Sequence, residues 1–389
     1  MPAAAAVNNV QQQNAMIRQL LKRAAVERVL PLPAVALSAQ QAAGTTPVNI
    51  TPLFVGFLKK FIIEITGTMN NTDGVNAANL SDIGLANLIG SISFTDLQQT
   101  VRSQTTGWHL DFLFRAKHRW SSTGAILSTA MNQSGNFGNN FGVVVPPTAV
   151  AHNTSSAFRM VWELPVCYSD DDLRGGVWLG VVNATAQLQI QMTTTPFAAS
   201  GVDSTLAAWK GAAGNISGVT IQVYQVFLDQ VPQQGGIPLL PPLDIQTMYE
   251  LKNTVNPTAY QVGQDNPISY GNFRKFMSTF LIYNDNPAAD AGRVGGTDIN
   301  YFALQSANVT NFWKKFPLQV ARESRVLTLQ DLPLGCYYFS HRRAPIDTIA
   351  YGNVQLVENP STAAAGAYGL IGWEDFAPLN AVRQASSLA

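Results

Sequence analysis

Glu163-Leu164-Pro165-Val166-Cys167-Tyr168 and Asp331-Leu332-Pro333-Leu334-Gly335-Cys336-Tyr337 are near copies, and between them they hold both cysteines of the chain. Upstream lies a second echo. Gly56-Phe57-Leu58-Lys59-Lys60-Phe61 is answered by Gly271-Asn272-Phe273-Arg274-Lys275-Phe276. Each upstream copy runs into an apolar segment that ends in an Asn/Asp-rich turn, Asn70-Asn71 and Asp285-Asn286. The order is the same in both halves, which predicts one β-domain used twice. The upstream pair is offset by 215 residues and the downstream pair by 168, so the first copy is 47 residues longer between its markers. Such extra length belongs in loops.

Around these markers the apolar pattern has period two, the mark of half-buried antiparallel strands. Leu188, Ile190 and Met192 alternate with Gln187, Gln189 and Gln191, and Val219, Ile221, Val223 and Phe227 alternate with Thr220, Gln222 and Tyr224. The same reading puts Trp108, Leu110, Phe112 and Phe114 on one strand face, with His109, Asp111, Leu113 and Arg115 on the other. No strand-helix-strand rhythm appears. Short helical excursions are expected near Leu80–Leu88 and Ser204–Lys210. The fold class expected is all-β, two tandem eight-stranded jelly rolls. The divisions read from the chain are an arm and linker at 1–47, a first roll at 48–242, a second at 243–375, and a polar tail at 376–389. Gly235–Pro242 is the natural linker between the rolls.

Charged residues make up 12% of the chain, and the formal net charge is zero. Average soluble proteins carry about 25%. A surface this poor in charge is expected to be hidden against other protein. No field points to nucleic acid, so no sequence-specific nucleic-acid binding is expected. Two cysteines make no disulfide framework. Cys167 and Cys336 read as small buried hydrophobes in equivalent strands. No secretory signal is visible, and no apolar run approaches a membrane span.

Residues 8–29 form the best helix candidate. Ile17, Leu20, Leu21, Ala24 and Ala25 recur at helical spacing, and Arg18, Lys22, Arg23 and Arg28 give it positive charge. A basic amphipathic helix can lie on anionic lipid. Its apolar stripe can equally pack on the protein itself or on a neighbouring copy.

Catalytic parts are few. His109, His118, His152 and His341 have no metal-ligand spacing to one another or to either cysteine. Asp170-Asp171-Asp172 is the single acidic run. It could hold a hard cation, but a helix cap after Ser169 is the plainer reading. There is no nucleophile elbow, phosphate loop or dinucleotide fingerprint. Hence no enzyme activity, cofactor or metal is expected. Ser134–Gly142 reads as a surface loop anchored by Phe137 and Phe141. Arg342-Arg343 and Lys314-Lys315 read as solvated basic pairs.

Thr106-Gly107-Trp108-His109-Leu110 and Val223-Tyr224-Gln225-Val226-Phe227-Leu228-Asp229-Gln230-Val231-Pro232 resemble the major capsid proteins of tectiviruses. Gly296-Thr297-Asp298-Ile299-Asn300-Tyr301, Tyr351-Gly352-Asn353-Val354 and Asn359-Pro360 are similar to the same family and follow in its order. That resemblance implies a double jelly roll standing upright in an icosahedral shell around an internal membrane. It implies a homotrimer with a pseudo-hexagonal footprint, an N-terminal helix on the membrane side, a tail that changes conformation with position, and contacts to vertex and other minor capsid proteins. It places the protein in virions made in the host cytoplasm. The competing expectations are a lectin-like or receptor-binding spike, which would carry a ligand site, and a glycan hydrolase, which would need paired carboxylates.

Overall fold

The computed structural model describes residues 2–81, 83–118, 149–181, 185–198, 207–255, 260–284, 299–306, 312–328, 332, 335–361 and 368–378. Among these, two sets of eight strands carry the fold. The first set is β1 (Val26–Pro31), β2 (Val48–Ile50), β3 (Phe57–Asn71), β4 (Ile89–Thr95), β5 (Val101–Thr105), β6 (Ser155–Pro165), β7 (Gln187–Met192) and β8 (Gly214–Asp229). The second is β9 (Thr247–Val255), β10 (Asn266–Ser269), β11 (Lys275–Asn284), β12 (Ile299–Ser306), β13 (Trp313–Lys315), β14 (Cys336–Ser340), β15 (Val354–Pro360) and β16 (Tyr368–Pro378).

The pairing is the same in both sets. The first roll has sheets β1-β8-β3-β6 and β2-β7-β4-β5. The second has β9-β16-β11-β14 and β10-β15-β12-β13. Two facing four-stranded sheets in this order make a jelly roll. Between the sheets of the first roll, Phe61, Ile63 and Trp162 meet Phe94, Leu188 and Ile190. Between those of the second, Leu281, Ile371 and Trp373 meet Phe302, Leu304 and Leu356. The outward side chains of β7 are its glutamines, as the alternation requires.

Even the bulges repeat. Lys59 is skipped in the pairing of β3 with β8, and Met277 in that of β11 with β16. Equivalent positions are therefore 218 residues apart (59 to 277), three more than the 215 of the Gly56/Gly271 echo. The strands are equivalent, but the letters of that echo are out of step. The cysteines are not equivalent. Cys167 lies two residues beyond the end of β6, whereas Cys336 opens β14. Both are buried.

The largest departure from the expected pattern is at Trp108. Gly107–His118 is a helix, α2, not a strand. Its start is wedged against the short 3-10 helix Gly84–Leu88, where a Cβ on Gly107 would stand 2.0 Å from the Ala86 carbonyl oxygen. Trp108 through Leu113 are all buried, His109 and Asp111 included. His109 is therefore no half-exposed strand residue. The equivalent helix in the second roll is α3 (Pro317–Thr328).

The N-terminal helix, α1, runs Pro2–Ala24 and stops short of the expected end. Val26–Pro31 is instead β1, the edge strand of the first roll, so Arg28 sits on a strand. Residues 376–378 are strand as well, with Phe376 and Ala377 buried, and only 379–389 of the expected tail lies outside the described residues. Trp209–Lys210 is a short strand, and 204–206 lies outside the described residues. The Ser134–Gly142 loop also lies outside them. Gly235–Pro242 carries a tight hairpin, Gln233–Gln234 with Ile237–Pro238.

Candidate functional site

Two built features stand out: the docked arm and the seam between the rolls. α1 lays Leu21 into a small cluster with Phe57, Cys167, Leu173, Leu228 and Val231, where it is fully buried. Beside it the Arg18 guanidinium donates to both carboxylate oxygens of buried Asp244 at 2.5 Å and to Asp172 at 3.0 Å. The hydrogen bond to Asp244 holds the Arg18 pKa above its ordinary value. Asn14 joins in, donating to Asp244 at 3.1 Å and accepting from the Leu243 amide at 2.9 Å.

The acidic run serves this docking and the strand beneath it. Asp171 pairs with Lys22 at 2.8 Å, Asp172 with Arg18 and Arg174, and Asp170 with Lys59 at 3.2 Å and Lys60 at 3.7 Å. Lys59 is buried, and burial pulls its pKa down, but Glu27 and Asp170 more than offset that and hold it above the ordinary value. Residues 169–172 are irregular, so the expected helix cap is replaced by a turn in which Ser169 Oγ accepts from the Asp172 amide. Among the described residues no cluster of His, Cys, Asp and Glu could hold a metal. Arg28 pairs with Asp229 at 2.7 Å. Among the residues the arm exposes are Met16, Leu20 and Arg23, spaced i, i+4, i+7 on one face.

The seam begins where β5 pairs with β9, the one parallel ladder among the described strands. α2 then lies on the outer face of β11 and β16, with His109 and Phe112 against Phe280. For this reason Phe280, Ile282 and Tyr338 belong to the first roll's core rather than to the second's. Thr105 Oγ1 donates to Asn253 at 2.9 Å. At the far end of α2 sits buried Glu374. It accepts from Ser278 at 2.6 Å and Tyr249 at 2.9 Å, and pairs with Lys117 at 3.2 Å and Arg342 at 3.4 Å. Burial opposes its charge, but the two cations win and hold its pKa near 2. Arg342 is thus a seam residue and not a solvated cation. Lys315 pairs with Glu323 at 2.6 Å, and Lys314 stands over the Tyr301 ring.

Trp108, Leu110 and Phe112 are buried as expected, though on a helix. Sequence reading missed Asp244, Lys117, Asn253 and Glu374. Each has at least one partner more than 100 residues away in sequence.

Family models describing the N-terminal and C-terminal parts of the P3 major capsid protein match residues 2–231 and 246–388. Major capsid protein P3 of Enterobacteria phage PRD1 is 31% identical over 335 residues, covering 84% of this chain and 82% of its own. A chain from the atomic structure of Sulfolobus Turreted Icosahedral Virus superposes with a TM-score of 0.62 at 12% identity, covering 92% of this chain and 93% of that one. A chain of the PBCV-1 virus capsid gives 0.54 at 10%, covering 90% and 93%.

Proposed function

The chain belongs to the P3 major capsid protein family, and from that premise we propose that three copies stand together as one block of an icosahedral shell. It is a major capsid protein, a structural protein of the virion rather than an enzyme. The observation that carries the three-copy reading is the strand-for-strand likeness of the two rolls. Two similar rolls in each of three chains give six similar walls, and a near-hexagonal block tiles a curved lattice with few gaps. Obligate interfaces of this kind bury about 2,000–5,000 Å² each. A chain with so little charge is suited to that fate.

The shell encloses a membrane and the genome, and the arm faces that membrane. Among the described residues no helix is long and apolar enough to cross a bilayer. α1 lies on the lipid surface, with Met16 and Leu20 inserted and Arg23 at the headgroups. Arg18 and Lys22, also expected to face lipid, are instead occupied by the protein's own aspartates. Each basic residue near anionic lipid contributes about 1 kcal/mol, so membrane attachment relies on many copies acting together. The working division is an inward arm through Ala24 and rolls beginning at Val26 and Thr247. Vertex and other minor capsid proteins complete the shell, and the chain is made in the host cytoplasm.

Electron microscopy of the purified protein tests the block. Six-sided particles with threefold symmetry are expected, and isolated pairs of rolls would count against it. Flotation with anionic vesicles tests the arm. Assembled wild-type protein should float, and Met16→Ser/Leu20→Ser/Arg23→Glu should not.

A further inference from the structure

The contact that joins the two rolls in mid-chain is left half-made at each end of the molecule. The edge of β5 finds β9, but β1 and β13, the strands at the corresponding positions, are terminal in their sheets among the described residues. We propose that β13 of one copy pairs in parallel with β1 of the next copy, and that α3 of the first lies on the outer face of the next copy's first roll. The inference rests on the three-copy reading and names the surfaces that close it.

The registers fix which residues meet. In the seam Ser103 stands opposite Leu251 and Gln104 opposite Lys252. Leu251 pairs with Glu374, and Val29 pairs with Val226. Glu374 and Val226 in turn stand opposite Ser278 and Lys60, the first residues past the two bulges. Val29 and Leu30 therefore hold the places of Leu251 and Lys252. On the other side, Ile50, Leu188, Phe94 and Ser103 are neighbours across one sheet, as are Ile268, Leu356, Leu304 and Trp313 across its counterpart. Matching these two rows sets Ile50 against Ile268, again 218 apart (50 to 268), in agreement with the bulges. Trp313 and Lys314 therefore hold the places of Ser103 and Gln104. The helices follow in step. α2 begins two residues after β5 ends, and α3 two residues after β13 ends. Leu318 takes the place of Trp108.

Exposure agrees with this matching. Trp108 is 4% exposed, whereas Leu318 at the matching position is 79% exposed. Val29 is 51% exposed on an open edge. Apolar edge strands left open invite pairing with another chain. The face that would receive α3 is ready: Ile62 and Tyr224, which match Phe280 and Gly372, are only half-buried. The contact is head-to-tail, a different surface on each partner, and such contacts close into rings when the rotation allows.

A cross-link tests the pairing. Leu30→Cys/Lys314→Cys, treated with a short bis-maleimide, should run on denaturing gels as a ladder reaching three chains, and each single-cysteine variant should stay at one chain. Cys167 and Cys336 are buried, so background is low. A three-copy species by light scattering that yields no such cross-link overturns the pairing while the three-copy reading stands. A monomer at every concentration overturns both. In a second variant, Leu318→Glu, the three-copy species should be lost at concentrations where the parent is fully associated, with far-ultraviolet circular dichroism unchanged. Undiminished association would refute the role of α3.

Discussion

The imidazole of His109 lies directly against the backbone of Gly372, so closely that a Cβ there would stand 2.6 Å from ring Cδ2 and 2.8 Å from Cγ. This is where the helix of one roll meets the sheet of the other. Gly372→Ala should therefore strain the seam. Overpacking of a filled core costs about 1–3 kcal/mol. Urea unfolding should show a lower midpoint, and an unchanged midpoint would mean that the seam yields freely.

Trp108, the residue before His109 on the same helix, is buried edge-on to Phe112. Its truncation to alanine should cost about 3–5 kcal/mol, the range for large aromatics in cores. Calorimetry of Trp108→Ala checks this. A melting temperature close to the parent's would show that the ring contributes little.

The misreading of this helix has a physical cause. A helix buried on all sides shows no polar stripe, so its 3.6-residue period vanishes. In Trp108-His109-Leu110-Asp111-Phe112 a chance alternation then imitates a strand. His109 tolerates burial because it stays neutral, its pKa pushed down to about 4 by desolvation, with Nδ1 2.7 Å from Thr105 Oγ1. β7 was legible because one of its faces meets solvent. The duplication was legible because both halves repeat their strand order, yet the repeated letters were out of register or, at the cysteines, at opposite strand ends. The acidic run was visible, but its arm partners lie 149 and 154 residues away and left no local mark.

Glu358 sets a pH dependence. It is buried, Oε1 accepts from the Tyr260 hydroxyl at 3.2 Å, and Oε2 has no hydrogen-bond partner among the described residues. Burial lifts its pKa from 4.5 to about 8. The folded state thus holds a proton that the unfolded state has released, so this stability is full below about 4.5 and lost as pH rises through 8. His109 and His341, lowered to about 4 and 3 by burial, act in the opposite sense and only below their ordinary 6.5. Between pH 6.5 and 8, Glu358→Gln should flatten the decline in stability seen in the parent. Equal slopes in denaturant titrations at these pH values would remove Glu358 as the cause.

The arm should respond unequally to its two cations. Arg18→Ala leaves Asp244 buried without its main partner, at a local cost of about 1.5–3 kcal/mol for a charged hydrogen bond. Lys22→Ala removes a largely exposed pair, worth about 0–1 kcal/mol. Hydrogen exchange over residues 10–24 should accelerate strongly in the first variant and little in the second. Equal acceleration would show that Asp244 is not the anchor.

The most direct test of the central claim, that three chains form one six-walled block, is the mass of the purified protein by light scattering at moderate salt. The likeness of the two rolls predicts a single stable species of about three times the 42.0 kDa chain. A clean monomer across the accessible concentration range would contradict it, for then the open edges at Val29 and Trp313 would need no partner.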